Sequence, residues 1–314
     1  MINVKLLKHT KLHGSDTPLA TFQLVYPLFI HAEVMTHRVF SRNGASARAI
    51  PVKRMVELAK EYSTAPKRFH TNQAGMEPAG PLSDEDNIRA REIWHEQALS
   101  ACNAALKLAD EGTLNVHKQW ANRLLMPFTH MSLIVTSDKW DNFFSLRVWE
   151  KGDTSAMHEI NELATGMQHQ LNNSKPCESH AHLPLVSALP SPSTYIPNAD
   201  YLLNKTTRAV ARISRESYMR TYRETAFVED CEQIMRLMND GIKIHASPFE
   251  HIAISSELRD ALYNEVGTYD HRFEAGASNF HPDNLQLRNI PDLMTLLSNH
   301  CNKKIKTAIN HSPV

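Results

Sequence analysis

Residues 36–48 read THRVFSRNGASAR, which sets His37, Arg38, Arg42 and Arg48 among Ser41, Asn43 and Ser46, with Gly44 between them. Guanidinium forks bind phosphate oxygens bidentately, and small residues let a backbone approach a ligand closely. A phosphorylated ligand is the chemistry this stretch suits. On composition alone a solvated basic loop is the competing reading.

Two further arginines stand beside apolar residues: Arg123 in NRLLMPF and Arg147 in WDNFFSLR. A cation there is costly unless it is paired or meets an anionic ligand. An internal salt bridge and a ligand contact both satisfy that demand, and the residues alone leave the choice open.

HASPFEH (245–251) gathers His245, Ser247, Glu250 and His251 around a proline, and CESHAH gathers Cys177, His180 and His182. Neither has the spacing of HExxH or a comparable helical metal motif, so no metal is expected. The second reads better as a structural loop. No Walker loop, GxGxxG fingerprint or GxSxG elbow occurs, and no cysteine falls in the arginine-rich stretch.

The elements that must position these residues follow from patterning. Residues 2–8 and 21–26 read as strands, and Pro27 opens a short helix, PLFIHAEVMTHR. Residues 41–50 read as a loop, and Pro51 precedes a helix with Val52, Met55, Val56 and Ala59 on one face. The longest amphipathic pattern starts near Ser83 and runs to Gly112. Helical patterns cover about 117–127, 139–146, 154–171, 205–222, 227–240 and 291–308. The Pro-rich stretch from Lys175 to Pro197 suggests a division into a core over 1–186 and a C-terminal part over 187–314.

The 314 residues are 42% hydrophobic and 22% charged, enough for a substantial core. Lys plus Arg number 34 and Asp plus Glu 34, so no overall field draws the chain to nucleic acid or an anionic membrane, and an anionic ligand must meet a local cluster of cations. No apolar stretch reaches the ~18–20 residues of a membrane span. Four scattered cysteines without a CxxC pair fit a reducing compartment, so a cytoplasmic location is expected.

Taken together, these stretches resemble the flavin-dependent thymidylate synthases. His37, Arg38, Ser41, Asn43, Ser46 and Arg48 fall on that family's Arg-His-Arg, Ser, Asn, Ser, Arg pattern, after a lead-in similar to YPLFIHAEVM. NRLLMP resembles the segment around a nucleotide-binding arginine (Arg123). DNFFSLR resembles the one that carries a flavin-contacting asparagine (Asn142) and the active-site arginine (Arg147). SRESY (214–218) and HASPFEH resemble elements that precede the pattern in the family but follow it here, so the order looks permuted. The likeness covers most of 17–171 and about 207–254. The chain departs at Thr36, where the family has its first arginine, at Gly44, where it has an acidic residue, and at Ser155, where it has histidine.

The resemblance implies an α+β fold, a small antiparallel sheet packed by several helices with a further C-terminal helical region, assembled as a homotetramer whose sites draw on several subunits. It implies that dUMP is alkylated at C5 to give dTMP, with methylenetetrahydrofolate as carbon donor and NADPH as reductant of a bound FAD. Arg48 and Arg123 would hold the 5′-phosphate, with Gly44, Ala45, Ser46 and Ala47 closing round it, Glu33 near the base, and Arg147 stabilising charge on the ring. Thr36, His37, Arg38, Asn142, Ser217, His245, Ser247 and Glu250 would contact the flavin. Three alternatives share this site: a hydroxymethyl product, dCMP as substrate, and a nucleotide-binding homologue without catalysis.

Overall fold

The computed structural model describes residues 2–61, 64–75, 77–149, 156–189, 192, 197–238, 244–263 and 278–310. Among these, five strands form one sheet: β1 (Asn3–Leu12), β2 (Leu19–Pro27), β3 (Ser41–Gly44), β4 (His130–Ser137) and β5 (Cys177–Ser179), in the order β3-β4-β2-β1-β5. The pairs β1–β2, β2–β4 and β3–β4 are antiparallel, and only the edge pair β1–β5 is parallel. A smaller sheet orders β6 (Ala181–His182), β7 (Ala253–Ile254) and β8 (Leu285–Gln286).

The helices are α1 (His31–Met35), α2 (Val52–Glu61), α3 (Asp84–Ala109), α4 (Lys118–Ala121), α5 (Asp141–Arg147), α6 (His158–Asn172), α7 (Ala199–Ser214), α8 (Phe227–Met238), α9 (Ser256–Tyr263) and α10 (Pro291–Asn310). The fold is mixed α+β. The Ser83 hydroxyl opens α3 by accepting from the Asp86 N–H at 3.1 Å, satisfying one of the free donors of the first turn.

The period-two alternation of strand side chains puts the main sheet between two apolar layers. Leu133 and Val135 of β4 join Phe22, Leu24 and Tyr26 of β2 and the α5–α6 layer, whereas Ile134, between them, joins the layer built by α7, α8 and α10. On β1, Val4 comes so close to α6 that a Cβ at Gly166 would lie 3.2 Å from its Cγ2. A third cluster packs α2 against α3 and the residues after α4 through Met55, Ala59, Cys102 and Leu125.

A row of buried hydroxyls crosses the sheet and engages two histidines. Thr10 and Thr21 hold the two ring nitrogens of His182 at 2.6 and 2.7 Å. Thr21 also meets Thr136 at 2.6 Å, and Thr136 meets Nδ1 of His251 at 2.8 Å. His180 is likewise buried against Ser255. Three of the histidines singled out in the sequence, His180, His182 and His251, are thus bound to hydroxyls.

Local structure departs from the sequence reading in several places. The loop expected over 41–50 opens as β3, because pairing with β4 buries Ser41 and Asn43 although neither is apolar. The helix expected over 117–127 divides into α4 and a 3-10 helix, Asn122–Phe128, which carries Pro127 inside it and lacks that residue's N–H. The helix expected over 205–222 begins six residues earlier and ends in a 3-10 turn, Arg215–Tyr218. Strand β4 had no counterpart in the sequence reading, nor had helix α9 or the two-residue strands of the small sheet.

Candidate functional site

The arginine-rich stretch straddles β3. At its far end the chain leaves the sheet at Ala45, whose N–H donates to the Ser132 carbonyl at 2.8 Å, and Ser46 donates its N–H to the Ser217 carbonyl at 3.0 Å. Both N–H groups are spent inside the chain and are not free to meet an anion. The turn closes as Ala49 and Ile50 donate back to the Ser46 carbonyl. What it offers an anion is the exposed guanidinium of Arg48 and the half-buried hydroxyl of Ser46. Gly44 pairs so closely with β4 that a Cβ there would lie 3.0 Å from Leu133 Cδ1, so an acidic residue at this point would have to displace that methyl.

A residue absent from the sequence reading fixes this turn. Asn122, fully buried, donates from its side-chain amide to the carbonyls of Ala47 at 2.7 Å and Ile50 at 2.9 Å, and Lys118 adds a bond to the Ala49 carbonyl at 3.0 Å. Arg123 follows directly on Asn122, so the clamp brings two arginine-bearing segments together. Arg123 is exposed, with its guanidinium 5.8 Å from the Trp120 ring, and therefore bears no burial cost of the kind the sequence suggested. Among the described residues no carboxylate pairs with Arg48 or Arg123.

At the near end of β3 stands His37, 7% exposed, tilted over Phe40 and meeting the edge of Phe143 at 4.8 Å between ring centroids. Phe143 and Arg147 are one turn apart on α5 and share a face. Burial lowers the pKa of His37, and the positive charge of Arg147 lowers it further, so the imidazole is held neutral beside a guanidinium. His37 Nε2, Arg147 Nε and Glu33 Oε2 are buried without a hydrogen-bond partner among the described residues. An unmade bond of this kind costs about 1–3 kcal/mol, so groups that approach these atoms are strongly favoured.

Thr36 spends its hydroxyl on the Glu33 carbonyl at 2.6 Å. Arg38 and Asn142 are exposed. Ser155 lies outside the described residues.

The other residues expected at the flavin gather round a cavity of about 570 Å³. Its wall includes Ser217, His245 and Ser247, with Asn43 from β3 and Ser214 from the end of α7. Asn43 ties the wall together, donating to the Ile213 carbonyl at 2.7 Å and accepting from the Ser247 hydroxyl at 3.1 Å. Glu250 belongs to the same 3-10 turn, Ser247–His251, but is not part of the lining. Burial raises its pKa, against the opposing pull of Arg288 and Arg42. The expected cofactor residues thus fall into two groups: Ser217, His245 and Ser247 at the cavity, and His37 with its neighbours beside α5. Beneath the cavity the buried carboxylate of Glu216 accepts from Gln23, Ser132 and Thr221, which pins the Arg215–Tyr218 turn to β2 and β4.

Asn122, Ser214 and Glu216 were missed as parts of the site. Ser214 had a signal, since it begins the SRESY stretch. Asn122 opens NRLLMPF and Glu216 lies within SRESY, but apart from Thr221 the partners that give them their place are 72 to 193 residues away, and residue type does not reveal them.

No protein-family model matches the chain, and no curated protein does. Among solved structures the chain is similar to the crystal structure of a UMP/dUMP methylase PolB from Streptomyces cacaoi bound with 5-Br UMP. Identity is 19%, the TM-score is 0.43, and the match covers 55% of this chain and 89% of that one. The same methylase bound with 5-Br dUMP matches at 18% identity and TM-score 0.44, over 55% and 90% of the two chains. No helix among the described residues is long and apolar enough to cross a membrane, and the described residues include no group of three or more His, Cys, Asp or Glu placed to hold a metal ion.

Proposed function

We propose that the chain binds a pyrimidine nucleotide, dUMP, and methylates its base at C5, with FAD as bound cofactor and NADPH and methylenetetrahydrofolate as co-substrates. The observation that carries this reading is the placing of unpaired cations at both ends of β3. Arg48 and Arg123 flank the turn at one end, and Arg147 stands beside His37 at the other. In this reading Arg48 and Arg123 form charge-assisted bonds to the 5′-phosphate, and Ser46 adds a hydroxyl.

Arg147 would then hold negative charge on the pyrimidine as N3 loses its proton, raising electron density at C5 for attack on the one-carbon unit. Neutral His37 beside it adds no second cation to the ring and keeps Nε2 available as donor or acceptor. The cavity walled by Ser214, Ser217, Ser247, Asn43 and His245 is the place this reading gives the flavin: the Ser214 and Ser247 hydroxyls donate within the chain and keep their oxygens as acceptors for the ring's N–H, and the Ser217 hydroxyl would meet a ring carbonyl. A flavin bound there supplies hydride transfer, and the protein's part is to hold and orient it. Thr36, Arg38 and Asn142 do not line that cavity; in the proposed homotetramer they are the groups offered to a neighbouring copy.

The test is mass spectrometry of the nucleotide after incubation of the protein with FAD, NADPH, methylenetetrahydrofolate and dUMP. A methyl adduct is expected, a hydroxymethyl adduct would change the product, and unchanged dUMP would overturn the reading.

Glu33 favours a second reading. Its Oε2 is buried without a partner among the described residues, and a carboxylate accepts from the exocyclic amine of cytosine. On that reading dCMP replaces dUMP in the same incubation and is the nucleotide modified.

A further inference from the structure

Beside the serine-lined cavity a second hollow of about 330 Å³ opens between the Arg215–Tyr218 turn, the segment after it, and α8. Tyr218, Gln233 and Arg236 line both, so the two adjoin. The second differs sharply in chemistry. Four of its lining residues are arginines, Arg215, Arg220, Arg223 and Arg236, against two carboxylates, Glu229 and Glu232.

Existing ion pairs do not absorb this charge. Arg223 reaches Glu229 at 3.4 Å. Arg215, with a side chain only 12% exposed, is held by Asp230 at 2.6 Å, but its Nη1 is buried with no partner among the described residues. Arg220 and Arg236 are exposed, and among the described residues neither pairs with a carboxylate. Guanidinium groups brought to one hollow by three segments suit a compact group with several anionic oxygens, because each can be met by a planar fork.

We infer that this hollow is a diphosphate subsite: it takes the diphosphate bridge of a dinucleotide whose flat ring lies in the adjoining serine-lined cavity. Arg220 and Arg236 supply the charge-assisted hydrogen bonds, Arg215 fixes the floor, and Tyr218 forms the wall where the two spaces meet. The inference rests on the proposed flavin reading only in taking FAD as that dinucleotide. NADPH carries the same bridge and is the other source.

The experiment titrates the full chain with FAD, riboflavin, NADPH and inorganic pyrophosphate, before and after the double substitution Arg220→Ala with Arg236→Ala. Both side chains are exposed, and unchanged circular dichroism and melting would establish that the variant is folded. FAD is expected to bind at least about tenfold more tightly than riboflavin, two charge-assisted bonds being more than sufficient for that ratio. The substitution is expected to abolish the difference; because Arg236 also borders the serine-lined cavity, Arg220→Ala alone, at a residue that lines only the second hollow, is the variant expected to reduce the difference with riboflavin affinity unchanged.

If NADPH affinity falls instead, the subsite stands and belongs to the nicotinamide dinucleotide. If riboflavin binds as well as FAD and the variant alters neither dinucleotide, the subsite is overturned while flavin binding survives. If no flavin binds, the flavin reading fails by itself and pyrophosphate decides the subsite. Binding by the wild-type chain that the variant loses would sustain it, and no binding would overturn it.

Discussion

The side-chain amide of Asn122 donates to the carbonyl of Ala47 at 2.7 Å, and through that bond the segment carrying Arg123 is tied to the turn carrying Arg48. Neither arginine is in a position to organise the other: both are exposed and like-charged. A buried neutral amide does the organising, because it satisfies two carbonyls of the turn at once.

Asn122→Ala is therefore expected to lower stability by about 1–3 kcal/mol, the cost of leaving buried acceptors unsatisfied. It should also weaken dUMP binding, since the two cations lose their fixed spacing. Denaturant unfolding and calorimetric titration with dUMP check the two effects separately. Arg48→Ala and Arg123→Ala should weaken dUMP binding and leave the unfolding midpoint unchanged; unchanged affinity in both would remove the phosphate from this turn.

Arg147→Ala is expected to abolish turnover while FAD stays bound, read from product mass and flavin absorbance. The same variant has a signature independent of activity. Burial and Arg147 both depress the His37 pKa, so removing the guanidinium should raise it, as NMR titration of the ring would register. A His37 pKa unmoved by the substitution would contradict the placement of the two residues.

The buried row from Thr10 to His251 predicts an acid limit to stability. His251 titrates at about 3 in the fold against 6.5 for the free side chain, because burial disfavours its charged form, and His182 is lowered for the same reason with nearby cationic groups adding to it. Each is neutral in the native state while the unfolded chain takes up its proton below about pH 6.5. Native stability is then at its full value above that pH and is lost progressively as the pH falls towards 3. Urea midpoints measured at pH 7 and pH 5 should differ in that direction. Replacing His251 by Gln should flatten the slope.

The proposed homotetramer requires an apolar face, and α3 carries one. Ile88, Leu99 and Leu106 are 57%, 39% and 36% exposed, and helical periodicity places them on one side of the helix. Leu99→Glu with Leu106→Glu is expected to yield a smaller species by light scattering with the fold retained. An unchanged mass would move the interface elsewhere, and a monomeric wild-type chain would end the tetramer proposal.

What the sequence alone determined are the features written in local pattern. The first two strands, the long helix behind Ser83, the helices that became α2, α8 and α10, and the gathering of cations around residues 36–48 all follow from periodicity and residue type within a short window. Strand β4 escaped because His130–Ser137 is a short run buried nearly throughout, where periodicity does not separate a strand from a core helix. The small sheet escaped because two-residue strands leave no pattern.

Tertiary structure decided which chemistry each residue keeps. It spent the N–H groups of Ala45 and Ser46 and the hydroxyl of Thr36 inside the chain, left Arg48 and Arg123 without carboxylate partners among the described residues, and brought Asn43 to Ser247 across 204 residues. A hydrogen bond between distant segments depends on how whole layers pack, and residue type fixes only what each group is able to donate or accept.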